Sequence, residues 1–537
     1  MFPGPEPKRW LHLRWGALLL PLSCSGGCER GQGSTGAAGS EQPTRGGYSR
    51  TSVPPEARIH DAGTGATRAA LDELPDAGNG DAGGDGGPPP GWTGPFFTVT
   101  FGSAGIYARP ATDRALKIGY ARNGGRIPVL PDKISGEGCR EGWYEGAEGG
   151  FICSSEGTID PEDPHARLSA TPPNLSNILP YPYARNGRNG TPLFSSVPSV
   201  DQIQLYEPRA GNDGPSKGGD KRPWWQRERV QLSEVRLAEL ANESDGLLAK
   251  RLVRGFYVAI DREFEWDNRT WYKTTKGMVS PKDRFVAVEG YGFHGVELSE
   301  ENGLPVAWAH GGKQTRPRYH LGANGAMSST SATIAHHQPV YLTGEKQLSG
   351  GHLFLQTKDE EWVQSDHVRV ASLPTPPANL AEDERWISVD LDTQTLVALV
   401  GTHPVYATLI SSGKESDDPM SDHRTPRGEW FIREKHIATT MDGDGTAAGD
   451  LPYSIEDVPY VMYFQGSYAL HGAFWHRNFG VRMSHGCVNL APLDAKYLFL
   501  FTDPPVRTGW HGAWAGNGIK GSRVVIRGAT RAAPAGP

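Results

Sequence analysis

What most limits the folds open to this chain is how often it is interrupted. Glycine and proline supply 69 and 43 of its 537 residues, about a fifth of the chain against a usual ~12%. Between them, β-branched and aromatic residues come in short runs, which suits strands joined by tight turns. Phe96-Phe-Thr-Val-Thr-Phe101, Ala108-Arg-Pro110, Ile127 to Leu130, Gly142-Trp-Tyr144 and Gly149 to Cys153 read as such strands. A chain of this length exceeds one ordinary core, so two to four domains are expected. The expected fold class is mainly β and multidomain.

The first ninety residues read differently. Lys8, Arg9 and Arg14 flank a short apolar run, Trp15 to Leu22, that ends in Ser23-Cys24 and Ser25-Gly26-Gly27-Cys28. The run is far short of the ~20 apolar residues a spanning helix needs, so residues 1–28 are predicted to be a secretory signal. Small residues before a cysteine resemble a bacterial lipoprotein box, which makes Cys24 and Cys28 lipidation candidates. Pro21 or Ser25 departs from the aliphatic residue usual three positions earlier. Residues 29–92, rich in Gly, Ala, Ser, Asp and Pro, cannot bury enough apolar surface to offset ordering entropy, and read as a disordered tether.

Cys139 and Cys153 lie in neighbouring segments, and in an exported protein such a pair is expected to form a disulfide. A metal site is the weaker reading, because nothing nearby supplies two more soft ligands. The pattern around Trp143 to Cys153 is echoed at Trp271 to Val279 and again around Trp362 to Val370. These segments resemble bacterial SH3-like modules, small β-barrels with a Trp-containing hairpin; the plain alternative is core aromatics at hairpins. The expected modules are 93–165, 175–299 and 300–373, the second carrying a helical insertion from Gln226 to Arg254 with Leu237, Leu240, Leu247 and Leu248 on one stripe. The resemblance implies wall binding.

Leu373-Pro374-Thr375-Pro376-Pro377 marks a domain boundary. Trp386 to Leu391, Leu396 to Val400 and Val405 to Ile410 then read as strands, followed by Ser411-Ser-Gly413 and Thr425-Pro-Arg-Gly-Glu-Trp-Phe-Ile432. Further on come His471-Gly-Ala-Phe-Trp-His476 and Met483-Ser-His-Gly-Cys487-Val-Asn489. From the counts of 17 His, 69 Gly and 5 Cys, a His-Gly-Cys tripeptide is expected only about 0.02 times by chance. Together these elements resemble the L,D-transpeptidase catalytic domain of bacterial cell-wall enzymes, over about 384–527. A disordered tail is expected at 528–537.

The resemblance implies that Cys487 is the nucleophile, that His471, followed by Gly472, is the histidine activating it, and that His485 and Ser484 complete the motif. Asn489, Tyr468 and Tyr460 are the expected substrate-side residues, and Arg482 reads either as a solvated surface charge or as the partner of a substrate carboxylate. Chemistry points the same way. A thiol attacks as thiolate, a nearby imidazole lowers its pKa and relays the proton, and Gly486 leaves the backbone free to turn two amides toward an oxyanion. His485 on a strand with Cys487 would point parallel to it, so it is assigned to shaping the site. A zinc site from His471, His476, His485 and Cys487 has suitable ligand types but neither ligand spacing nor an acidic base.

Fifty-four Lys and Arg against 61 Asp and Glu, net charge −7, with no basic block, argue against nucleic acid as a partner. The resemblance implies peptidoglycan stem peptides as substrate, a thioester on Cys487, 3,3 cross-links as product, no metal or organic cofactor, sensitivity to carbapenems and a periplasmic or envelope location, with the membrane reached through the lipid anchor. Water or a protein lysine as acceptor, and a non-catalytic wall-binding protein, are the competing readings.

Overall fold

The structure is a computed structural model that describes residues 59–60, 89, 91–206, 246–311, 315–417, 422–443 and 453–529. The signal and lipidation readings at 1–28, nearly all of the tether, most of the helical insertion and the tail from 530 lie outside these residues. The chain is mostly β. Among the described residues no helix is long and apolar enough to cross a membrane.

The C-terminal region is built around a six-stranded sheet in the order 296–297, 403–409, 395–400, 385–390, 523–527, 428–431. Of its strands from residue 384 onward the first and last in sequence, Arg385–Asp390 and Arg523–Arg527, pair in parallel from Trp386↔Arg523 to Asp390↔Arg527, so the two ends of the region close on each other. Trp386, Ile387, Val389 and Leu391 are at most 1% exposed. A second layer holds Glu434–Gly443, Tyr453–Gln465, Tyr468–Gly472 and Val488–Leu490. Between the layers lies the largest core cluster, joined by the helix Pro492–Phe501. This helix was not foreseen, although Pro492 at its first turn is a start signal. Lys435, buried, donates from Nζ to the carbonyls of Phe499 and Thr502 at its C-terminal end, where a cation suits the helix dipole.

The seven strands from Val306 to Ala371 form a sheet of their own. Upstream, Phe96–Val99, Arg126–Pro128 and Gly157–Thr158 make a three-stranded sheet, while Ser103–Tyr107, Lys117–Arg122, Trp143–Glu145 and Phe151–Cys153 pair with one another and, through Gly512–Trp514, continue the sheet that holds Glu434–Gly443. Cys139 and Cys153 form a disulfide, Cα to Cα 5.7 Å. What recurs among the three accessory segments is a strand, a 3₁₀ turn and a strand, with the turns at Ser154–Glu156, Lys282–Arg284 and Ser365–His367. Trp143 and Trp271 sit on the strand before this unit, but Trp362 sits inside it. The tryptophan spacing was therefore an inexact marker of the repeated unit.

Four expectations need correction. Ala108 to Pro110 is a bend, the strand ending at Tyr107. Leu248, placed on a helical stripe, opens the strand Leu248–Leu252, which pairs with Thr191–Phe194. Its apolar neighbours belong to a sheet core with Phe194, Tyr206 and Trp271, and a strand that borrows burial from distant partners carries no local signal against a helix. Within the tether, Ile59↔Phe264 and His60↔Glu263 pair as antiparallel strands. Finally, Val296–Glu297, assigned to the second module, is an edge strand of the C-terminal sheet through Val296↔Ala407. Asp494 pins it there, accepting from Gly295 N at 2.7 Å, Tyr406 OH at 2.7 Å and Thr408 Oγ1 at 2.6 Å.

The upstream segments dock on one buried carboxylate. Asp457 takes Arg122 at 2.8 Å, Thr275 Oγ1 at 2.6 Å and Lys276 at 3.4 Å. Arg122 comes from the first segment, Thr275 and Lys276 from the second.

Candidate active site

The strands Tyr468–Gly472 and Val488–Leu490 run in parallel with Leu470↔Val488, His471↔Asn489 and Gly472↔Leu490 in register. His471 and Asn489 are thus side by side. Cys487 is the last residue of a bend leading into the second strand, two residues before Asn489, and its Sγ lies 3.8 Å from Ser467 O, beside the strand that carries His471. His485 is in the same bend rather than on a strand. It is exposed and its ring stacks on Tyr453 at 5.3 Å and against His423 at 4.7 Å.

The bend is templated by Ser411-Ser412-Gly413. Asn489 and Ser411 exchange two backbone hydrogen bonds of 2.9 Å, Ser484 N donates to Ser412 O at 3.0 Å, and Lys414 N donates to Ser484 O at 3.0 Å. Gln394, in the hairpin turn before this segment, holds Ser412 through 2.9 Å and 2.7 Å bonds. Gly413 is required because a Cβ there would meet His423 O at 1.8 Å and Gly486 Cα at 2.9 Å. Gly486 has φ +117°, and its Cβ would lie 2.5 Å from the Tyr468 ring, so side chain and conformation both demand glycine.

Ser484 Oγ donates to Cys487 O at 2.5 Å and accepts from Gly486 N at 3.1 Å. That second bond corrects the expectation that the Gly486 and Cys487 amides both serve an oxyanion. The Gly486 N–H is taken by Ser484, which leaves the Cys487 N–H as the candidate donor.

Burial sets the electrostatics. His471 is 3% exposed, its ring stacks on Trp475 at 5.7 Å, and Nδ1 donates to Gly472 O at 3.2 Å. The lone pair is therefore on Nε2, the tautomer that can act as base. Desolvation lowers its pKa to about 4, and pushes the Cys487 thiol up to about 11 against the Ala469 amide. The expected depression of the thiol by its imidazole neighbour is therefore corrected: the resting pair is thiol and neutral imidazole.

His476, read from the sequence as structural or substrate-facing, is tied to the site. Its Nδ1 accepts from Asn478 N at 3.3 Å and its Nε2 lies 3.0 Å from the Asn489 amide. The atom facing His476 Nε2 is Asn489 Nδ2, so a neutral ring accepting at Nδ1 would carry its proton on Nε2 and bond Asn489 only with that amide turned to present Oδ1. The loop beyond is gripped by the Val306–Ala371 sheet. His337 Nε2 donates to Phe479 O at 3.2 Å and Arg369 Nε donates to Gly480 O at 2.9 Å, while Phe479 is buried against Tyr291 and Phe293. His337 and Arg369 carry no local signal of this, being more than a hundred residues away.

Other expected substrate-side residues are placed less simply. Tyr468 covers Gly486 and is half-buried. Tyr460 is 1% exposed with its ring against Phe499, a core residue and not a pocket wall. Arg482 donates to Leu391 O at 2.9 Å and pairs with Glu415 at 3.5 Å and Asp392 at 3.8 Å. It lines a polar cavity of about 590 Å³ with Lys414 and Ala529. Among the described residues no group of three or more His, Cys, Asp or Glu could hold a metal ion.

Residues 384–526 match the YkuD family, the L,D-transpeptidase catalytic domain. No curated protein matches the chain. Among solved structures, it is similar to an L,D-transpeptidase mutant from Enterococcus faecium, with 27% identity over 29% of this chain and 55% of that one, TM-score 0.21. It is similar to the catalytic domain of an E. faecium L,D-transpeptidase, with 25% identity over 27% of this chain and 98% of that one, TM-score 0.21. An L,D-transpeptidase from Stackebrandtia nassauensis is 23% identical over 29% of this chain and 60% of that one, TM-score 0.20. The chain thus spans about half the length of the first of these. Residues 384–526 are an L,D-transpeptidase catalytic domain.

Proposed function

We propose that the chain acts on peptidoglycan stem peptides outside the cytoplasm through a thioester on Cys487. The observation that carries this reading is the register of His471 beside Asn489, with Cys487 two residues upstream in a bend built on Gly413 and Gly486. In the first half-reaction Cys487 Sγ attacks the amide carbonyl that precedes the terminal D-residue of a tetrapeptide stem. Its proton passes to His471 Nε2, the Cys487 N–H supports the oxyanion, and the C–N bond breaks as the imidazolium returns the proton to the departing amine. In the second half-reaction an acceptor amine attacks the thioester, giving a 3,3 cross-link when that amine is the side chain of a second stem. Water or a protein lysine is the competing acceptor. The three accessory segments, with their repeated strand, 3₁₀ turn and strand, serve as SH3-like wall-binding modules in this reading, and Cys24 or Cys28 as a lipid anchor.

Mass spectrometry of the purified protein incubated with disaccharide tetrapeptide, with and without an acceptor stem, tests it. The expected result is an acyl adduct on the Cys487 peptide and a cross-linked dimer only when acceptor is present. Tetrapeptide recovered intact with no adduct on Cys487 would sink the reading.

A further inference from the structure

A cavity of about 620 Å³ lies between the first accessory segment, the Thr171–Ser176 stretch and the catalytic domain, and shares no lining residue with the surroundings of Cys487. Its volume is in the range of small-molecule and short-peptide sites. Two features give it a chemical preference. Arg126 stands over the Phe96 ring, guanidinium to centroid 5.1 Å, and Arg507 over the Trp510 ring at 5.2 Å. Neither has a carboxylate within ion-pair distance among the described residues. Arg122, also on the wall, is already committed to Asp457. The remaining surface is largely apolar, with Pro172 and Pro173 on one side and Phe499 and Leu500 on the other.

The walls are held from both sides. Thr508 N donates to Glu148 Oε2 at 2.9 Å, and His511 N donates to Tyr120 O at 2.7 Å. Gly509, φ +76°, lies so close to Arg126 that a Cβ would meet its carbonyl at 2.1 Å. Two guanidiniums parked on aromatic faces, neither with a carboxylate within ion-pair distance among the described residues, form a preorganised receptor for planar oxyanions, with Glu148 acting on Arg507 only from beyond that distance.

We propose that this cleft is a second binding site, taking the carboxylate-bearing peptide of a peptidoglycan strand, with Arg126 and Arg507 pairing its carboxylates and Trp510 and the two prolines covering its apolar body. The choice of ligand rests on the function proposed above; the anion preference stands on the cleft alone. A strand held there is fixed to the rigid seam between the first segment and the catalytic domain.

The test uses the full chain carrying Cys487→Ala and a photoreactive disaccharide tetrapeptide, with cross-linked peptides mapped by mass spectrometry. Label is expected on peptides covering 171–176 and 499–510. Arg126→Gln with Arg507→Gln should reduce that label at least fivefold, while label on peptides around residue 487 stays constant; Arg507→Lys with Arg126→Lys should restore most of it. A probe with its carboxylates amidated should label the cleft at least fivefold less. Thermal melts within a few degrees of the parent establish that the variants fold, and Arg126→Gln alone, at an exposed residue, serves if the double variant does not. Equal cleft labelling by the variants or by the amidated probe, or no label in the cleft, overturns the proposal. Acylation of Cys487 in the wild-type chain is read separately: its absence with a labelled cleft defeats only the acyl-transfer reading.

Discussion

The candidate site around Cys487 and the seam around Asp457 lie on the same layer of strands and are built on opposite principles. At the centre, Cys487 and His471 are desolvated into their neutral forms, and geometry comes from glycines, backbone hydrogen bonds and a strand register. At the seam, one buried carboxylate gathers Arg122, Thr275 and Lys276 from two other segments, and cations hold its pKa down at about 2 despite burial. Adjacent Glu456 shows how local this is. Its ion pair among the described residues is with Lys250, at 3.4 Å, and desolvation raises its pKa despite Lys250 and Lys276. A buried carboxylate is held down where several partners converge and pushed up by desolvation where they do not. The difference teaches that this chain uses fixed charge at the seam and withheld charge at the candidate site.

The comparison breaks most sharply at the thiol. Cys487→Ala should abolish acyl-adduct formation, and in the wild type iodoacetamide labelling should climb with pH without levelling below about pH 10, because the thiol titrates near 11. A plateau centred below pH 8 would reveal a preformed thiolate and imidazolium, and the centre would then resemble the seam.

His471→Ala should lower the acylation rate by about 10²–10⁴-fold, the usual value of a general base. The wild-type imidazole is a base above its pKa of about 4, so acylation by tetrapeptide should persist at pH 5 and vanish below about pH 4. Loss centred near pH 6.5 would mean that the ring is hydrated as an ordinary histidine.

Asp457→Asn strands two cations at the seam and should cost about 3–5 kcal/mol in chemical denaturation, as when one member of a buried pair is removed. The sign with pH follows from a folded pKa below the unfolded one. The stabilisation is complete above the ordinary carboxylate pKa near 4 and is lost as pH falls toward about 2. Equal stability of wild type and Asp457→Asn at pH 7 would remove the seam from the docking argument.

The smallest expected effects join the two regions. Arg369→Gln and His337→Ala release the carbonyls of Gly480 and Phe479, and each should slow acylation by roughly tenfold through misplacement of the loop that orients His476 and Asn489. Arg369→Lys should recover part of the rate. A change in sacculus binding with an unchanged acylation rate would show that the Val306–Ala371 sheet does not position the loop.

Much of the C-terminal region was legible because its signals are local. Trp386 to Asp390 and Leu396 to Val400 have turn residues between them and hydrophobic strands on either side, and they pair as a hairpin. The motif from Ser484 to Asn489 names its own candidate nucleophile. Illegible were the helix Pro492–Phe501, whose residues are almost all buried and show no polar face, and the strand at Leu248, whose pairing partner begins more than fifty residues earlier. Tyr460 was misplaced for a related reason: a polar aromatic on a strand reads alike whether it faces a pocket or a core.

Sequence alone thus determined the β class of the chain, the catalytic-domain family of its C-terminal region, and the candidate identities of thiol and base, because these rest on residue type and on spacing within a few dozen positions. Tertiary structure decided the protonation state of that pair, which N–H is left for the oxyanion, the gathering of three segments on Asp457, and the grip of His337 and Arg369 on the loop at Phe479. Each depends on desolvation or on contacts between residues far apart in the chain, and neither is encoded at any single position.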